Sequence, residues 1–186
     1  MSDNNPTITV SSLSITPERA TLKRLNKGFT AEERAALVSL PEPYGFTLRF
    51  LLGTGLRWAE ATRAQAAHVR DGVLEVEKTK SGKVRRIPLA ASLAAEVRSR
   101  VSILVPFVHP GQFARTVKRQ TGIRGFHVHR TRHDYAIQWL AGDGSLAILQ
   151  ELMGHAHIST TMRYARITQD LVQRESERVF RGRERA

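Results

Sequence analysis

His129, Arg132 and His133 fall within five residues, Gly154-His155 follows, and Tyr164 lies nine residues beyond His155. Three kinds of group in this span suit a phosphodiester. A guanidinium is a fixed cation whose planar fork matches two phosphate oxygens. An imidazole donates a hydrogen bond or moves a proton near neutral pH, and a phenol can act as an oxygen nucleophile that forms a covalent intermediate. The set points to a phosphodiester that is clamped by cations and attacked by tyrosine.

Such chemistry needs more positive charge from elsewhere in the chain. Gly53-Thr54-Gly55 breaks an apolar run, Tyr44 to Leu52, that reads as a buried helix. A new helix is expected from about Leu56 to Gln65. This sets Arg57 at a turn into a helix N-terminus, where backbone N–H groups favour an anion. Glu60, three residues on, is placed to hold Arg57. Residues 73–78 and 84–89 read as two strands around Ser81-Gly82, a hairpin whose loop carries Lys78, Lys80 and Lys83. A lysine there can be solvated edge protection, or can reach a phosphate or a leaving oxygen.

The remaining elements are scaffold. Thr30 and Glu33 form a T-x-x-E capping box before a helix from Ala31 to Leu40, ended by Pro41. Ser92 is a plausible cap for an amphipathic helix running to about Val105, and another helix is expected from Gly111 to about Thr121. Helices follow at about 131–141, 145–153, 160–163 and 168–180. Residues 1–28 are polar and read as a tail or linker, with a short strand at Ile8-Thr9-Val10 and a basic close at 23–27. No internal repeat is present.

Composition narrows the partners. The 186 residues hold 29 Lys+Arg against 17 Asp+Glu, a net charge of +12 and a length suited to one domain with a real core. That balance favours a polyanion, foremost nucleic acid. Cysteine is absent, which excludes disulfides and thiolate metal sites and fits a reducing cytoplasm. No run of about 18 apolar residues exists to span a membrane, and the N-terminus lacks a secretory pattern. His127, His129 and His133 give H-x-H-x-x-x-H, two of them at i and i+4, so a metal site has to be weighed. Arg124, Arg130 and Arg132 crowd that site and Asp134 is its sole nearby carboxylate in sequence. A divalent cation would be repelled there and a phosphate attracted. His133 is expected to be mostly structural.

Five pieces in order resemble the catalytic domain of the tyrosine recombinases, the phage integrase family. They are Thr54-Gly55-Leu56-Arg57-x-x-Glu60; Lys80 in a hairpin closing on Arg86-Ile87-Pro88-Leu89; His129-x-x-Arg132-His133; Leu152-Met153-Gly154-His155; and Ile158-Ser159-Thr160-Thr161 leading to Tyr164. Together they cover roughly residues 29–175.

The resemblance implies an α+β, mainly α fold with a small antiparallel sheet around the Lys80 hairpin. It implies Tyr164 as the nucleophile on a DNA phosphate, leaving a 3′-phosphotyrosine. Arg57, Arg132 and His155 would bind the non-bridging oxygens, His129 would take part in proton transfer at the nucleophile, and Lys80 would protonate the 5′ oxygen. Glu60 and His133 would support them, with neither metal nor other cofactor. Arg130-Thr131 stands where the family commonly has an acidic-then-aliphatic pair. The implied division is a tail at 1–28 and a catalytic domain at 29–186, without the DNA-clamping domain that usually precedes it in the family. Double-stranded DNA is the implied partner, bound by a chain monomeric in solution and tetrameric on DNA through the segment 169–186, with accessory DNA-bending proteins, in a bacterial, archaeal or phage-infected cytoplasm. Two other readings remain open: a DNA-binding regulator that kept the fold and lost the chemistry, and DNA relaxation in the manner of type IB topoisomerases.

Overall fold

The computed structural model describes residues 28–77, 84–154 and Tyr164. Seven α-helices, a 3₁₀ turn (Ala66–His68) and one small sheet appear among them: α1 (Ala31–Val38), α2 (Tyr44–Thr54), α3 (Trp58–Ala61), β1 (Val69–Arg70), β2 (Val73–Glu77), β3 (Val84–Pro88), α4 (Ala91–Arg98), α5 (Pro110–Thr121), α6 (Val128–Ala141) and α7 (Leu146–Met153). The mainly helical, α+β architecture with a small antiparallel sheet agrees with the expectation. The strand at 8–10, the hairpin turn, and the helices at 160–163 and 168–180 lie outside the described residues. None of the described helices is long and apolar enough to cross a membrane.

Local sequence explains most boundaries. The capping box forms as read: the Glu33 N–H donates to Thr30 Oγ1 at 3.1 Å, and the Thr30 N–H donates to Glu33 Oε2 at 3.1 Å. Helix α1 ends at Val38, two residues earlier than expected. Helix α4 is the larger difference. It starts after Ala90, places Ser92 inside its first turn with no capping bond, and stops at Arg98 rather than Val105. Residues 99–105 leave the helix instead; Leu104 and Val105 are buried there, and the Leu104 N–H donates to the Ala64 carbonyl at 3.0 Å. Tertiary burial overrides a helical pattern at that point.

The sheet order is β1-β2-β3, antiparallel throughout. Strand β1 was not foreseen; two residues are too short to show a period. In the β2–β3 register Leu74 faces Ile87 and Val76 faces Arg85. These four residues form the buried side of the ladder. The main core joins this side to α2 and α5 through Phe46, Phe50, Leu51, Leu74, Ile87 and Phe113. A second, smaller core lies between α6 and α7, made of Ala136, Leu140, Leu149 and Met153, and Tyr164 is part of it.

Candidate active site

Helix α6 carries the central groups. His127 caps it, its Nδ1 accepting the Arg130 N–H at 3.1 Å. The helix therefore starts at Val128, three residues before the expected 131, and His129, Arg132 and His133 share one face of its first two turns. Arg130 and Asp134 occupy the adjoining face.

Arg132 is 2% exposed. Its Nη1 donates to the Gly55 carbonyl at 2.7 Å and its Nη2 to the Met153 carbonyl at 2.6 Å. Gly55 is the left-handed C-cap of α2, and Met153 is the last residue of α7. Two helices thus aim carbonyls of their C-terminal ends at one guanidinium. Those carbonyls lack intrahelical partners, and helix C-termini favour cations. Burial, and then the charge of Arg57, push Arg132 down to about 10, still a cation at neutral pH. Gly55 has φ +63°, and a Cβ there would also strike the Tyr135 ring.

Arg57 sits at the N-cap of α3 with an exposed side chain. Helix α3 is only four residues long, not the expected ten. Glu60 Oε2 accepts the Arg57 N–H at 2.9 Å and so places a carboxylate at the N-terminal turn. The exposed Arg57 guanidinium, rather than a helix end that already carries a carboxylate, is the group open to an anion. Glu60 holds that guanidinium as expected, with Oε1 to Nη1 at 3.1 Å. Burial raises the Glu60 pKa, but hydrogen bonds from Arg85 and from the Arg57 backbone, with the charges of both arginines, hold it below the usual glutamate value.

Tyr164 is 7% exposed and reaches α6 through His133, whose Nδ1 lies 3.2 Å from the phenol oxygen. The two rings are 5.1 Å apart. His133 was expected to be mainly structural, and this contact places it at the phenol. His129 stands near Arg132, His127, His133 and Arg57; burial first, and then their charges, lower its pKa. Arg57, Glu60, His129, Arg132, His133 and Tyr164 thus share one electrostatic neighbourhood. Lys80 and His155 lie outside the described residues. Among the described residues no group of three or more His, Cys, Asp or Glu is arranged to hold a metal ion.

Sequence reasoning passed over Arg85. It lies on the buried side of β3, 6% exposed, and its Nη2 donates to Glu60 Oε2 at 3.0 Å. Its signal was available: a charged residue at a register position that Ile87, two residues on, fills with an apolar group.

Comparison with known proteins places this geometry. The catalytic domain of bacteriophage HP1 integrase superposes with a TM-score of 0.66 at 24% identity, over 80% of this chain and 92% of that one. XerH site-specific recombinase bound to palindromic difH substrate, in a post-cleavage complex, gives 0.65 at 15% identity over 85% of this chain and 54% of that one. The fold is that of an integrase catalytic domain.

In sequence, the chain is 30% identical over 148 residues to the integrase of Escherichia phage P2, covering 77% of this chain and 44% of that protein. It is 30% identical over 169 residues to the tyrosine recombinase XerA of Pyrococcus furiosus, covering 78% and 59% respectively. The model of the phage integrase family matches residues 109–170. In sequence as in fold, the chain is similar to the phage integrase family of tyrosine recombinases. It spans about half the length of the curated relatives it matches.

Proposed function

We propose that this chain is the catalytic domain of a site-specific DNA recombinase, cleaving and rejoining strands through a 3′-phosphotyrosine at Tyr164. The observation that carries the reading is the Tyr164 hydroxyl held 3.2 Å from His133 on the helix that also bears Arg132, with Arg57 in the same electrostatic neighbourhood. The net charge of +12 suits a DNA partner. The relatives named integrase and tyrosine recombinase, and the neighbour bound to difH, support the same reading.

In the proposed step the Tyr164 oxygen attacks the scissile phosphorus and the P–O5′ bond breaks. Arg57, Arg132 and His155 stabilise the charge on the non-bridging oxygens. His129 accepts the phenolic proton, Lys80 delivers a proton to the departing 5′ oxygen, and attack by a 5′-hydroxyl reverses the sequence. A depressed pKa keeps His129 neutral near pH 7, the form able to accept a proton. The arginines supply the positive charge that a metal gives other phosphoryl-transfer sites, and the covalent link conserves the bond energy. Double-stranded DNA is the substrate, with a monomer in solution assembling as a tetramer on DNA, aided by accessory DNA-bending proteins, in the cytoplasm of the host cell.

The test is a covalent trap. The protein is mixed in EDTA with fragmented DNA from its source genome, quenched with detergent, and the attached DNA is sequenced. Adducts that vanish in Tyr164→Phe are the expected outcome. Cleavage that persists in that variant would remove Tyr164 as the nucleophile.

A further inference from the structure

We propose that Arg85 is a positioning residue for the anion clamp, locking Glu60, and through it Arg57, to the C-terminal end of α7 from which the chain continues to His155. The proposal deepens the function above and rests on Arg57 and Arg132 being the groups that bind the phosphate.

Arg85 stands where a sheet built only for stability would place an aliphatic residue. Its neighbours in the ladder are Val76 across from it and Ile87 two residues along. Its fork closes on one carboxylate, with Nη2 to Glu60 Oε2 at 3.0 Å and Nη1 to Glu60 Oε1 at 3.4 Å, and Nη1 also reaches the Met153 carbonyl at 3.5 Å. Its Nε is buried without a partner among the described residues. A buried ion pair seldom adds stability over well-packed apolar side chains, so geometry is the better account of this one.

Sharing is the physical point. Both oxygens of Glu60 serve two residues: Oε1 meets Arg57 Nη1 and Arg85 Nη1, and Oε2 meets the Arg57 N–H and Arg85 Nη2. One negative charge therefore orients two guanidinium groups and cannot neutralise both. Gly154 completes the arrangement. It is the left-handed C-cap of α7, and a Cβ there would strike the Arg85 guanidinium. The glycine before His155 thus both turns the chain and leaves room for Arg85. Arg85 ties the turn that bears Arg57 to the C-terminal end of α7.

Orthovanadate, an oxyanion that needs no DNA sequence, reads the clamp directly by calorimetry on the whole chain. Wild type is expected to bind it, and Arg57→Ala to bind about tenfold more weakly. Arg85→Met should also lose about tenfold, and Arg85→Lys less, because an ammonium keeps the charge but not the fork. In the Arg57→Ala background, Arg85→Met should change affinity by less than about twofold, since the two act in series. Gly154→Ala, with every charge intact, should reproduce the Arg85 loss; with Arg85→Lys it carries the test if Arg85→Met does not fold. A merely structural Arg85 would lower the melting temperature and leave vanadate affinity unchanged in Arg85→Lys and Gly154→Ala. That result would overturn the proposal, as would losses that multiply in the double variant, or a wild type that binds no vanadate. The strand-transfer reading is judged separately, by the Tyr164 adduct.

Discussion

Two arginines two residues apart on α6 are held in opposite ways. Arg130 is paired with a carboxylate: its Nη2 meets Glu33 Oε2 at 2.7 Å and donates to the Gly28 carbonyl at 3.1 Å, and its guanidinium lies 4.1 Å over the Phe29 ring. Arg132 is held by the carbonyls of Gly55 and Met153. A carboxylate fixes a guanidinium and cancels its charge. Carbonyl dipoles at helix ends fix it while the formal charge remains. One face of α6 therefore fastens the leading segment of the domain, and the adjoining face presents positive potential beside Tyr164.

The largest effect should come from breaking the carbonyl-held arginine. Arg132→Met should lower single-turnover cleavage of the duplex recovered by trapping by about a hundredfold or more, ~3 kcal/mol of transition-state stabilisation. It should also lower the melting temperature, because the Gly55 and Met153 carbonyls lose a donor. A variant that cleaves at the wild-type rate would end the comparison.

Arg130→Met sharpens the contrast. Losing the Glu33 pair, the Gly28 hydrogen bond and the contact with Phe29 should reduce stability by about 1–3 kcal/mol in denaturant titration. Cleavage by the folded fraction should stay within about threefold of wild type, since these contacts of Arg130 are with Gly28, Phe29 and Glu33. A large rate loss without a stability loss would show that the two faces do not divide the work. A smaller effect concerns pH. His129, depressed by burial and the charge around Arg132, should titrate below 6.5 in an imidazole NMR titration. The acid limb of cleavage should follow that midpoint downward.

The contrast was only half legible in the sequence. Arg57, Glu60, Arg132 and Tyr164 could be picked out because chemistry restricts their types and order, and Thr30 and Glu33 because a capping box is local. Arg130 gave no local sign of its role, since its partners Gly28 and Glu33 lie 102 and 97 residues away in the chain. The contact of His133 with Tyr164 was hidden for the same reason, since it spans 31 residues. Arg85 was hidden because a charged residue in a strand is ordinarily assigned to the solvent side, whereas this one is buried. Helix α4 was drawn too long because a helical period cannot reveal that Leu104 is needed beneath Ala64.

The finest test compares the carboxylates on the two sides. Asp134 accepts the Phe29 N–H at 2.7 Å and pairs with Arg34 at 3.2 Å, yet burial outweighs these contacts and raises its pKa above 3.8. Glu60, with two arginines on its oxygens, is shifted the other way, below 4.5. The folded state binds a proton at Asp134 more readily than the unfolded chain does. Its contribution to stability is therefore full below 3.8 and is lost as pH rises through the folded pKa. Glu60 contributes above 4.5 and loses that contribution as pH falls through its own folded pKa. Asp134→Asn imitates the protonated carboxyl and keeps an oxygen for the Phe29 N–H. At neutral pH it should match wild type in stability or exceed it by less than ~1 kcal/mol, and it should remove the Asp134 part of the acid-side slope. Glu60→Gln should instead lower stability at neutral pH. Equal and opposite slopes would cancel in wild type, so the two variants together separate what a single unfolding curve merges; a destabilised Asp134→Asn at neutral pH would show that the Arg34 pair outweighs burial.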